Sequence, residues 1–149
     1  MILPLDHTNE LIAHKIYSVF QASYAVEAQI LKAVNFPPLQ RTVPHFLSST
    51  TSFYGAWEDT ALSGVVEILS EGQKTHIQSL VVHPDHFRKG IGRALVVYVL
   101  QRYSSQIYTV ETGVDNGPAI ALYQNFDFKE IHQWDTDHGI RKIRLERIS

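Results

Sequence analysis

Apolar residues at Ile12, Ile16, Val19, Phe20, Val26 and Ile30 recur at helical spacing and predict one long amphipathic helix, or two in succession, early in the chain. Thr8 or Asn9 stands just before it with a side-chain oxygen that can cap the first turn. Asn35-Phe36-Pro37-Pro38 ends the pattern, because proline lacks a donor and drives the residue before it out of helical geometry. Ahead of the helix, Ile2 to Leu5 reads as a short strand, placed at a sheet edge by Pro4. Thr42 to Leu47 reads as a short helical turn and Ser48 to Ser52 as a connector. The apolar runs then shorten. Phe53–Trp57, Leu62–Leu69 and His76–Val82 predict three strands of an antiparallel meander, turning at Glu58-Asp59-Thr60 and at Ser70-Glu71-Gly72.

Helical spacing returns at Ile91, Leu95, Val99, Leu100 and Tyr103, followed by a β-branched strand from Ile107 to Thr112. A strand, a helix and a strand in quick succession form a crossover unit whose strands run parallel. Ala119, Tyr123 and Phe126 mark a further short helix, and strands near Phe128–Trp134 and Arg141–Ile148 flank a turn at Asp135–Gly139. The predicted class is α/β in the α+β sense: a mixed, largely antiparallel sheet with one parallel pair and packed helices.

Length narrows this to one domain over residues 1–149, at 17.0 kDa. A net charge of −2 argues against a general nucleic-acid surface. Zero cysteines exclude disulfides, thiolate metal sites and a Cys nucleophile. No apolar run approaches the roughly 20 residues of a membrane span, and Met1–His7 has no basic start or apolar core of a signal peptide. The expectation is a soluble cytoplasmic protein without nucleic-acid or membrane partners.

His83-Pro84-Asp85-His86-Phe87-Arg88-Lys89-Gly90-Ile91-Gly92-Arg93-Ala94 joins a predicted strand to a predicted helix. Two glycines at a helix start let backbone N–H groups approach an anion; the helix dipole, Arg88, Lys89 and Arg93 add positive potential. Such a turn suits a phosphate or diphosphate. It is not a Walker loop, and the dinucleotide fingerprint needs a third glycine where Leu95 stands. Leu80 to Pro84 with Arg88 to Leu95 closely resembles motif A of the GCN5-related N-acetyltransferase (GNAT) family. Asn116-Gly117-Pro118-Ala119, Leu122-Tyr123 and Phe126-Asp127-Phe128 resemble its motif B. Together they span roughly residues 76 to 128. Two positions depart from the family pattern: Phe87 stands where Gln or Arg is common, and Asp127 replaces a glycine and must take left-handed geometry.

The resemblance implies the GNAT fold, with the parallel strands splayed around acetyl-CoA and helices on both sheet faces. It implies a coenzyme diphosphate on the backbone of Arg88, Lys89, Gly90, Ile91, Gly92 and Arg93. The pantetheine arm would run beside Leu80, Val81 and Val82, and Asn116, Ala119 and Tyr123 would also meet the coenzyme. Tyr123 is the expected general acid, since a phenol with a pKa near ~10 is protonated at neutral pH and can donate to a thiolate. His76 ranks first as the base. Gln78, two residues on, would share its face and hold a water, and Glu111 and Glu67 are rivals. Tyr24, Glu27 and Glu111 are the expected acceptor contacts, with Phe36–Leu39 as a rim. Without cysteine, transfer is expected to be direct, in a ternary complex, to a primary amine of a small molecule. A protein or peptide amine, or a non-catalytic acyl-CoA sensor, is the alternative. The expected state is a monomer or a homodimer, the latter through exposed edge strands. His83, His86, His132, Asp135, Asp137 and His138 are metal-ligand types, but proline, the loop and a hairpin turn constrain them, and no metal is expected.

Overall fold

A computed structural model describes residues 1–149. The early apolar stripe forms a single helix, α1, from Glu10 to Leu31. Asn9 caps it by accepting the Ile12 N–H at 3.1 Å, and Lys32 closes it in left-handed geometry. Ala13, Ile16, Val19 and Phe20 form its buried face. A 3-10 turn at Pro37–Gln40 and a short helix α2, Val43–Leu47, follow.

The strands are β1 (Ile2–Leu5), β2 (Ser52–Glu58), β3 (Ala61–Glu71), β4 (Lys74–Val82), β5 (Ile107–Gly113), β6 (Lys129–Asp135) and β7 (Arg141–Ile148). They form one sheet in the order β1-β2-β3-β4-β5-β7-β6, so β1 is an edge strand as Pro4 requires. Strand β3 runs two residues beyond its predicted end, and the turn falls at Gly72, where φ is +60°. Helices α3 (Ile91–Arg102) and α4 (Gly117–Gln124) complete the order.

Every pair is antiparallel except β4 with β5. That parallel pair holds register only from Lys74↔Ile107 to Ile77↔Val110. Past these positions both strands continue with no partner toward each other, opening the sheet. Each face has its own core. Leu95, Val96 and Val99 of α3 pack with Val66, Ile68, Ile77, Tyr108 and Val110 on one face. Ile16 and Phe20 of α1 pack with Phe46, Phe53, Val65 and Val81 on the other.

A bulge marks the start of the split. Glu67 pairs Ser79 and Ile68 pairs Ile77, so Gln78 is the extra residue on β4. Side-chain alternation breaks there: Ile77 and Leu80, three apart, meet the same helical layer.

Candidate active site

The split between β4 and β5 opens into a cavity of about 860 Å³. Tyr24 and Glu27 of α1 and the Phe36-Pro37-Pro38 rim form one wall. Ile77 to Leu80 and Val82 of β4 face Glu111 and Thr112 of β5. Arg88, Gly90, Ile91 and Gly92 of the loop before α3 also line it, as do His138, Ile140 and Lys142. Asn116, at the N-cap of α4, and Ala119 and Tyr123 within that helix complete the lining.

The glycine loop has the geometry that anion binding requires. Arg88 and Gly90 both sit at positive φ, +65° and +76°, and Gly90 is the N-cap of α3 with no side-chain hydrogen bond. The first N–H groups of a helix have no intrahelical partner, so they face the cavity end free. Packing does not require a glycine at 92: a Cβ there would meet Leu122, Leu80 and Val82 at 3.5 to 3.9 Å, ordinary contact. The bare backbone is therefore open to whatever enters.

Helix α4 begins at Asn116, whose Oδ1 accepts the Ala119 N–H at 3.3 Å. The Asn116 amide donates to Glu27 Oε1 at 2.5 Å, tying α1 to the start of α4. Burial raises the Glu27 pKa, and the Asn116 hydrogen bond and the Lys142 charge partly offset it. Tyr123 lies about two turns on, 4% exposed and packed on Phe128. Burial, then the neighbouring Tyr24 and Glu27, push its pKa well above the usual phenol range. Tyr24 is raised too, first by burial and then by the Glu27 charge. Tyr123 therefore keeps its proton at neutral pH and presents it inside the cavity.

The remaining expected residues divide. Glu111 lines the cavity just past the last parallel pair, with Arg144 donating to its Oε2 at 2.6 Å. His76 is outside the walls. Its Nδ1 is 2.8 Å from Thr109 Oγ1, and burial above all lowers its pKa, so the ring is neutral. Val81 turns into the α1 core. Lys89 reaches Glu58 at 3.4 Å, and Arg93 lies over the Phe126 ring at 5.1 Å. Val81, Lys89 and Arg93 thus stay out of the walls. Glu67 is fully occupied: Arg41 grips it with two hydrogen bonds, 2.7 and 3.1 Å, and the Thr51 hydroxyl donates to it.

A family model described as the acetyltransferase (GNAT) family matches residues 13–128. The chain belongs to this family. The GNAT domain is 35% identical over 141 residues to the UPF0157 protein YqkA of Bacillus subtilis, covering 94% of this chain and 41% of that protein. The chain spans less than half the length of the curated relatives it matches. Among solved structures, the ribosomal-protein-S18-alanine N-acetyltransferase from Escherichia coli superposes with a TM-score of 0.77 at 19% identity, over 99% of this chain and 92% of that one. The PaiA N-acetyltransferase from Thermoplasma acidophilum, in complex with coenzyme A, gives 0.75 at 16% identity, over 100% and 98%. At such identities the likeness is one of fold, and the GNAT fold expected from the two motifs is the one observed.

Proposed function

We propose that this GNAT domain transfers acetyl from acetyl-CoA directly to a primary amine of a small molecule. One observation carries it: a single cavity runs from free helix-start N–H groups, along an unpaired strand edge, to a buried phenol that keeps its proton. The loop at Arg88–Gly92 would hold the coenzyme diphosphate. The β4 backbone past Ile77 has no β5 partner, so the pantetheine amides can pair there like an added strand. Acetyl-CoA supplies the thioester; the chain's residues orient it and move protons. The amine nitrogen attacks the thioester carbon, the C–S bond breaks, the leaving sulfur takes the Tyr123 hydroxyl proton, and the proton that the nitrogen sheds as the amide forms returns to the Tyr123 phenolate through water. With no cysteine in the chain, the acetyl group has no thiol on which to rest.

The amine must first lose a proton, and the geometry favours Glu111 over His76 for accepting it. Glu111 is in the wall, and Arg144 engages only its Oε2, leaving Oε1 for a water that bridges to the amine. Replacing Glu111 with Gln is expected to lower kcat about a hundredfold, whereas His76→Ala changes kcat less than threefold. Steady-state kinetics check this; the reverse order of effects returns the role to His76.

Calorimetry with coenzyme A, followed by thiol release over polyamines, amino acids, aminoglycosides and peptides, tests the whole reading. No heat with the coenzyme would end it. Gly92→Ala separates fold from site. The added methyl is tolerated in the free protein and favours helix by up to about 1 kcal/mol, so thermal stability holds or rises. Coenzyme affinity is expected to fall at least tenfold, because the methyl stands where the diphosphate must approach.

A further inference from the structure

The cavity walls hold few charges, and most are answered within the protein. Arg41 is neutralised by Glu67, and Glu111 by Arg144. His138 lies 3.3 Å from Asp137. Two wall cations have no carboxylate within ion-pair reach, Arg88 and Lys142. Arg88 belongs to the loop end, where the coenzyme diphosphate answers it. Lys142 is on β7, paired with Gly113 of β5 rather than carried on that loop, and the coenzyme reading leaves it unexplained.

Its position is built by the fold. Lys142 is in register between Gly113 of β5 and Trp134 of β6. Gly113 has no side chain to screen it from the cavity, and α1 rests directly on that glycine, where a Cβ would meet Leu31 at 2.6 Å. This close approach brings Glu27 near enough for Lys142 to lower its pKa, although the two form no ion pair. A half-buried ammonium loses hydration and gains a charge-assisted hydrogen bond only if an anion arrives.

We propose that Lys142 selects the acceptor: the substrate carries an anionic group, a carboxylate in the first instance, within a few atoms of the amine that is acetylated. This rests on the acetyl transfer proposed above and narrows its acceptor to amino-acid-like molecules. The ammonium of Lys142 receives the carboxylate, while Glu111, on the strand beside it, faces the amine. No bond changes at Lys142; it orients the acceptor.

The test is kcat/KM by thiol release for alanine, phenylalanine and lysine, each against its primary amide and its decarboxylated amine, with aminoethylphosphonate as a second anion. The wild-type domain is expected to favour the free acids at least tenfold, mainly through KM. Lys142→Ala should bring that ratio near one, and Lys142→Glu should invert it, both with unchanged coenzyme affinity by calorimetry. Turnover of the phosphonate alone would move the anion from carboxylate to phosphonate class and overturn the amino-acid assignment. Equal use of acids and amides overturns the proposal, as does a Lys142→Ala variant that slows every acceptor alike or only shifts the pH profile. The last result would mean that Lys142 merely balances Glu27. Coenzyme binding with no turnover of the panel also overturns it. Absence of coenzyme binding is the separate outcome that removes acetyl transfer itself.

Discussion

Replacing Tyr123 with Phe is expected to leave the fold intact and to lower kcat by about 10²- to 10⁴-fold, the usual contribution of a positioned acid. The hydroxyl is the only group lost. The ring keeps its contact with Phe128, 5.6 Å between centroids, so the fold has no reason to loosen. A thiolate leaving without a proton is the costly step, so the deficit should shrink with acyl donors whose thiol is more acidic. A structural tyrosine would show neither the selective loss in kcat nor the dependence on the leaving group. Turnover within threefold of wild type, with a good acceptor, would remove Tyr123 from the mechanism. Because its pKa is raised by burial, its protonated form persists through neutral pH. The variant should therefore lower the plateau of the rate profile without moving a limb near neutrality.

Much of this site was readable before any coordinates. The order of elements followed from apolar spacing, and motif residues Gly90, Gly92, Asn116 and Tyr123 all line one cavity. Asp127, flagged as a non-glycine in a glycine position, does adopt φ +64°. Other features carry no sequence signal. Period-two alternation cannot register a bulge, and Gln78 is an inserted residue on β4. The positive charge of Lys89 and Arg93 is legible, but not the course of their side chains, since long side chains follow the nearest partner, here Glu58 and the Phe126 ring. Lys142 was hidden because it sits in a run of alternating charges on β7 that resembles any solvated strand face. Only its neighbour across the sheet, a glycine, brings it into the cavity.

The Arg41–Glu67 pair is half legible in the sequence. Glu67 interrupts Val65-Val66-Glu67-Ile68-Leu69, and a charge within a strand covered on both faces must have a partner. The partner could not be named from the chain, since Arg41 comes from an irregular segment 26 residues away. Glu67 is 1% exposed, and the Arg41 guanidinium closes over it while resting 4.3 Å from the centre of the Phe46 ring. Arg41→Met is therefore expected to destabilise the domain by about 3–5 kcal/mol, because it strands a buried carboxylate, and to lower the denaturation midpoint without changing the slope. Replacing the whole cluster, Arg41→Met with Glu67→Leu and Thr51→Val, should recover most of that loss, as no buried polar atom is then left unpaired. A single variant as stable as wild type would mean that water reaches Glu67. The repacked triple variant has a second use. Arg41 lines the cavity beside the Pro37–Pro38 rim, so if the pair only supports the fold, restored stability restores KM for the acceptor. A KM that stays high in a stable triple variant would instead assign Arg41 to the acceptor site.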